Sequence, residues 1–262
     1  MTTQSFTEWN SRHFYITPKH QIEWLAYTLA DKVAGYSKDA KWFFVRYADR
    51  FDSSDRFRED DSDCHIRFRY ESNLSLDLSC TLWIDAPYVP EVKRYGGNEW
   101  ISTAEAYFVE SSRFVIDQIV LCREASTIDY DKWRGRKYLA ATALTLPVLS
   151  LAAKVGNLQP TIAAISSFHS HSFRVVGETH NLRLKSTIQA TVKSAKAELS
   201  STQHGKRYSE FLESIPDEFA EYPQVTSSLL HMNMNRLGFL PLEEFKYFQQ
   251  LSSYVTKFNV KL

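Results

Sequence analysis

What most constrains this chain is a single change of hydrophobic period along its length. Up to about residue 98, apolar residues gather in short aromatic and β-branched runs; beyond it they recur at helical spacing. Residues 42–47 (WFFVRY), 65–70 (HIRFRY) and 79–89 (SCTLWIDAPYV) read as strands, the last ended by Pro90 and the turn at Gly96-Gly97. Helices are predicted over 99–121, 130–152, 158–172, 179–199, 223–237 and 241–256, punctuated by Pro147, Pro160, Pro216, Pro223 and Pro241. One earlier helix is predicted over 20–35, where Ile22, Leu25, Ala26, Leu29, Ala30 and Val33 repeat with the right period. The charged stretch 49–63 is too polar for a core and reads as a solvated loop. Strands first and helices afterwards make an α+β fold: a mainly antiparallel sheet from the first third, packed with a helical remainder.

No repeat, low-complexity tract or Gly/Ser/Pro-rich linker divides the 262 residues, so a single domain over 1–262 is expected. Lys plus Arg (31) equals Asp plus Glu (31). A chain with no net charge has no global field to gather polyanions, which argues against a dedicated nucleic-acid or membrane-surface binder. Cys64, Cys80 and Cys122 form no CxxC pair and are odd in number, as suits reduced thiols in the cytoplasm. The polar N-terminus lacks a signal-peptide pattern. The longest apolar stretch, 138–155, is interrupted by Thr142, Thr145, Pro147 and Ser150, whereas a membrane span needs about 20 apolar residues. It reads as a buried helix.

Strand geometry makes a sharper statement about 65–70. Side chains alternate, so His65, Arg67 and Arg69 share one face while Ile66, Phe68 and Tyr70 share the other. The apolar set turns to the core, leaving two guanidiniums about 7 Å apart on the opposite face. That face is either an anion-binding surface on a rigid element or the solvated side of an edge strand. His231, beside Leu229, Leu230 and Met232, is open to two readings as well: a satisfied core histidine or a functional one. Arg94 either steadies the Gly-Gly turn with Glu91 or serves a site, and Arg236 reads as holding a helix end or a nearby carboxylate.

Read together, WFFVRY (42–47), HIRFRY (65–70), EVKRYGG (91–97), AEAYFVESS (104–112) and HMNMNRLG (231–238) form an ordered succession. It resembles the elimination domain of class I lantibiotic dehydratases, which also defines the thiopeptide-type bacteriocin biosynthesis family. The resemblance spans residues 20–256. Departures are small: Ile and Phe replace two leucines in the 65–70 motif, and Ser111 stands where the family often has Asp.

The resemblance implies a lyase of antibiotic biosynthesis that expels glutamate from glutamylated Ser or Thr of a ribosomal precursor peptide, leaving dehydroalanine or dehydrobutyrine. It implies Arg67, Arg69, Arg94 and His231 as catalytic residues, and His65, Glu91 and Arg236 as substrate-binding or supporting ones. The partners implied are the precursor peptide and a separate glutamylating subunit that uses glutamyl-tRNA; direct tRNA contact is not expected here. Related dehydratases suggest a homodimer. Two other functions share the fold: a pyridine synthase joining two dehydroamino acids by formal aza-cycloaddition with leader release, and a non-catalytic peptide-binding scaffold. No cofactor motif is present, neither a P-loop nor GxGxxG. His169, His171 and His180 lack the spacing and companions of a metal site. The basic run 132–137 (KWRGRK) reads as a solvated helix end rather than an RNA contact.

Overall fold

The computed structural model describes residues 8–48, 64–78, 82–125, 127–170 and 185–258, with side chains omitted at a few element ends. Four strands form one antiparallel sheet in the order β2-β3-β1-β4: β1 is Trp9–Tyr15, β2 Trp42–Ala48, β3 Cys64–Glu71 and β4 Trp83–Asp85. The α+β expectation therefore holds, and β2 and β3 stand where their aromatic runs place them. The predicted 79–89 strand survives only as Trp83–Asp85 among its described residues. Pro87 and Pro90 supply no backbone N–H, and pairing cannot continue through them.

The central strand β1 escapes the sequence reading. Its segment, WNSRHFY, shows no apolar alternation. The structure explains why: Ser11, His13 and Tyr15 lie across from Arg69, Arg67 and His65, on the polar face of the sheet. Arg12 on the other face is held by Asp85 (2.8 Å) and by the Leu76 carbonyl (2.7 Å). Only Phe14 in this strand is a fully buried apolar residue.

The 20–35 helix is present in three contiguous parts: α1 (Pro18–Glu23), a π-helical stretch (Trp24–Leu29) and α2 (Ala30–Ala34). It packs Trp24 and Leu25 beneath the apolar sheet face, with Phe14 and Trp24 ring centroids 4.9 Å apart. After a 3-10 turn (Val92–Tyr95) the chain is helical: α3 Ile101–Val120, α4 Tyr130–Lys154, α5 Leu158–Ser170, α6 Lys185–Ser201, α7 Gln203–Ser214, α8 Pro223–Leu237 and α9 Pro241–Phe258. The local chemistry sets several ends. Asp129 caps α4 by accepting the Lys132 amide, and Thr202 caps α7 by accepting that of Gly205. Pro223 opens α8 and left-handed Gly238 closes it. Helix α7 is an addition to the sequence reading.

Both sides of this arrangement meet at β2. Its outer edge is closed by helix side chains instead of another strand. The Phe44 amide donates to Ser112 Oγ of α3 (3.3 Å), and the Arg46 amide donates to Asn235 Oδ1 of α8 (2.9 Å). Asn235 returns a bond from Nδ2 to the Arg46 carbonyl (2.6 Å). These bonds fix α8, and everything it carries, against the sheet.

The basic run in α4 is largely neutralised: Arg134 pairs with Asp131, Arg136 with Glu198 and Lys137 with Glu243. Among the described residues no helix is long and apolar enough to cross a membrane. No cluster of His, Cys, Asp or Glu there could hold a metal ion. His171 and His180 lie outside the described residues, as do Cys80 and the 49–63 segment.

Candidate functional site

The polar face of the sheet is one wall of a cleft of about 160 Å³. Arg67 and Arg69 reach it from β3, Glu91 and Arg94 from the 3-10 turn, and His231 from α8. Three segments far apart in sequence thus bring three guanidiniums, a carboxylate and an imidazole to one space.

Each arginine is held differently. The Arg67 guanidinium carbon stands 3.5 Å from the centroid of the Tyr47 ring, and its Nε donates to His65 Nε2 (2.9 Å). A guanidinium can only donate, so His65 Nε2 carries a lone pair and the ring is neutral with its proton on Nδ1. Arg69 lies between the rings of Tyr88 (4.8 Å) and Phe43 (5.4 Å). Burial, with some help from Arg67, pulls its pKa down to about 10, which leaves it charged at neutral pH. Its Nε is buried with no hydrogen-bond partner among the described residues. Arg94 donates to Glu91 (2.8 Å) and to Ser228 of α8 (3.2 Å). Burial works against its charge, but Tyr95, Glu91 and Glu244 outweigh it and the pKa is raised.

His231 is tied to a residue that sequence reasoning did not single out. Its Nδ1 lies 3.0 Å from both carboxylate oxygens of Glu244, whose side chain is only 2% exposed, in the first turn of α9. In the sequence, Glu243 and Glu244 look like ordinary acids favouring a helix N-terminus, which conceals the pairing. On its far side the imidazole borders a second hollow, also of about 160 Å³, lined by Gln21, Arg46, Glu244 and Pro241 among others. Tyr47, His231 and Asn235 form the partition between the two spaces.

Tyr88 is another unanticipated member. Its hydroxyl is bonded to Glu105, which also accepts the Trp9 indole N–H (3.0 Å). Burial pushes both the Tyr88 and Glu105 pKa values up, the two bonds to Glu105 partly offsetting its own shift. Through this pair the start of β1 fixes the ring that covers Arg69.

Two of the expected substrate-binding residues stand behind the cleft instead of lining it. His65 is 1% exposed, stacked on His13 at 4.8 Å and bonded to Arg67. Arg236 is fully buried; it donates to Ser112 Oγ (3.0 Å) and to the Met232 carbonyl (3.1 Å), with its guanidinium 4.8 Å from the Phe108 ring centroid. Neither reaches the space a substrate would enter. His65 positions Arg67, whereas Arg236 braces α8 against α3 and, through Ser112, the Phe44 amide of β2. Glu91 does line the cleft while holding Arg94.

Comparison with known proteins agrees with the α+β fold. The family model described as "Lantibiotic biosynthesis dehydratase C-term" matches residues 9–255. Among solved structures, the chain is similar to the tRNA-dependent lantibiotic dehydratase MibB from Microbispora sp. 107891, at a TM-score of 0.56 and 17% identity. The match covers 97% of this chain but 29% of MibB. It is also similar to TsrL, at a TM-score of 0.55 and 11% identity, covering 97% of this chain and 96% of TsrL. At such identities these two likenesses are of fold. No curated protein sequence matches the chain.

Proposed function

Because this chain belongs to the family of lantibiotic biosynthesis dehydratase C-terminal domains, we propose that it is the glutamate-eliminating lyase of a split peptide dehydratase. Its substrate is a ribosomal precursor peptide whose Ser and Thr side chains have been glutamylated by a separate, glutamyl-tRNA-dependent subunit. The observation that carries this reading is the convergence of Arg67, Arg69, Arg94 and His231 on one cleft.

The chemistry asks for such a set. Elimination removes a weakly acidic Cα proton, forms the Cα–Cβ double bond and breaks the Cβ–O bond, so the glutamyl ester leaves as a carboxylate. A carboxylate with an ordinary pKa near 4 needs no strong acid to leave. The demanding steps are removing the proton and bearing the enolate charge that develops on the peptide carbonyl. Fixed cations in a water-poor site stabilise such charge without reorganising. Arginine keeps its proton and grips a carboxylate through two parallel bonds. Arg69 Nε, buried and lacking a partner among the described residues, is a donor that an incoming anion would satisfy. In this scheme the guanidiniums hold the glutamyl carboxylate and the nascent enolate, while His231 moves the proton.

Incubating the protein with a glutamylated precursor and following mass tests the reading. Wild type is expected to release glutamate, and His231→Ala to leave the glutamylated peptide intact. Normal dehydration by His231→Ala refutes the assignment. Macrocycle formation from a fully dehydrated peptide, without glutamate release from the glutamylated one, would replace it with the cycloaddition.

A further inference from the structure

We infer that Glu244 is a positioning residue that makes His231 the base, presenting Nε2 to the Cα proton. This inference rests on the elimination reading and assigns the direction of proton transfer within it. Both carboxylate oxygens of Glu244 lie 3.0 Å from His231 Nδ1, and the carboxylate is 2% exposed. An ionised carboxylate only accepts, so Nδ1 must carry the proton and the neutral ring keeps its lone pair on Nε2.

Charged and polar groups stand around His231 in both spaces that it borders. Arg67, Arg69 and Arg94 face His231 across the cleft, from β3 and the 3-10 turn. Arg46, from β2, lines the hollow on its other side, together with the neutral Gln21 of α1. Tyr47 stands in the partition itself. Glu91, paired with Arg94, and Glu244 are the carboxylates among these groups. Glu244 balances the charge once it has been gained, as a base role requires. In the step itself, Nε2 takes the Cα proton, the C–H pair becomes the double bond, and the Cβ–O pair leaves with glutamate. The imidazolium then returns its proton to the departing carboxylate or to solvent.

Glu244→Gln tests this, since the amide keeps the shape but can donate an N–H to Nδ1 and hold the other tautomer. With a synthetic peptide carrying an O-glutamyl serine, kcat should fall on the order of 10²-fold, a typical contribution of a positioned base, while KM stays nearly constant. Glu244→Asp, which keeps the charge, should retain more activity than Glu244→Gln. In a His231→Ala background Glu244→Gln should cost nothing further, because the two act as one unit. Nitrogen-15 spectra of the ring should show the proton on Nδ1 of His231 in wild type. An unchanged kcat, an equal loss in the His231→Ala background, or a proton resident on Nε2 overturns the inference. If wild type releases no glutamate, the elimination reading fails by itself; the ring spectra still decide the pairing, and they need no variant.

Discussion

Gly238→Ala should cost much more stability than Gly156→Ala, although both glycines have the same backbone conformation. Each sits at φ +74° after a helix, where an L side chain is strained. A Cβ in that region costs roughly 1 kcal/mol. At Gly156 nothing lies within 4 Å of the added carbon, so the strain is the whole effect. At Gly238 the Cβ would overlap the Arg46 guanidinium at Nη1 and Cζ, so that group has to move. Its departure gives up the 2.6 Å bond from Arg46 Nε to Gln21. A hydrogen bond to a charged group contributes about 1.5–3 kcal/mol, and with the strain the total for Gly238→Ala comes to roughly 2.5–4 kcal/mol. Urea unfolding followed by circular dichroism would measure both, comparing midpoints at an unchanged m-value. Equal costs for the two substitutions would refute the reasoning, because the Arg46 contact alone distinguishes them. A second check is internal: in an Arg46→Ala background the excess cost at Gly238 should vanish.

Other outcomes follow from the same contacts. Tyr208→Phe should destabilise by about 1–3 kcal/mol, since its hydroxyl donates to the Leu144 carbonyl (2.7 Å) and meets the Tyr107 hydroxyl (3.0 Å) in the core; thermal unfolding checks this. Arg67→Lys should weaken glutamate elimination while leaving stability nearly unchanged, because an ammonium keeps the charge but loses the planar stacking on Tyr47 and the fixed Nε bond to His65. Steady-state kinetics and a melting curve on the same sample separate the two effects.

What could be read from the sequence follows physical lines. Helix α8 was fully legible, because Pro223 and Gly238 mark its ends and its apolar positions keep the helical period. Strand β3 was legible because one of its faces is wholly apolar. Strand β1 was not, since Ser11, His13 and Tyr15, across from Arg69, Arg67 and His65, leave it without an apolar alternation. The site divides in the same way. Arg67, Arg69, Arg94 and His231 belong to recognisable motifs. Glu244 and Tyr88 do not, and Glu105, though inside the 104–112 motif, was not singled out; their places come from contacts between distant segments. Arg236 sits inside a motif yet braces the helices behind the cleft, because a motif records which residues occur together and not which way each one points.

The placement of Arg69 and Arg236 ties these observations to function. Arg236 is fully buried and Arg69 half-buried with its Nε out of water, and burial pulls both pKa values down to about 10. Burying a charge costs several kcal/mol unless partners replace its hydration. Arg236 recovers part of this through Ser112 and the Met232 carbonyl, whereas Arg69 rests largely on the faces of Tyr88 and Phe43, which are weak substitutes for water. A folded protein keeps such an arrangement when the cations are more useful unsatisfied than satisfied. A guanidinium already stripped of water and fixed by flanking rings need not reorganise when negative charge appears beside it. Arg236, too far back to touch the anion, adds its field from behind and raises no barrier to entry. These electrostatics of the sheet face are the property that the proposed elimination would draw on. Replacing Arg69 with an apolar residue of similar length, as in Arg69→Met, should then leave the protein at least as stable in denaturant unfolding while abolishing glutamate release. A variant that loses both stability and activity would show that Arg69 is a structural prop and not a reserved cation.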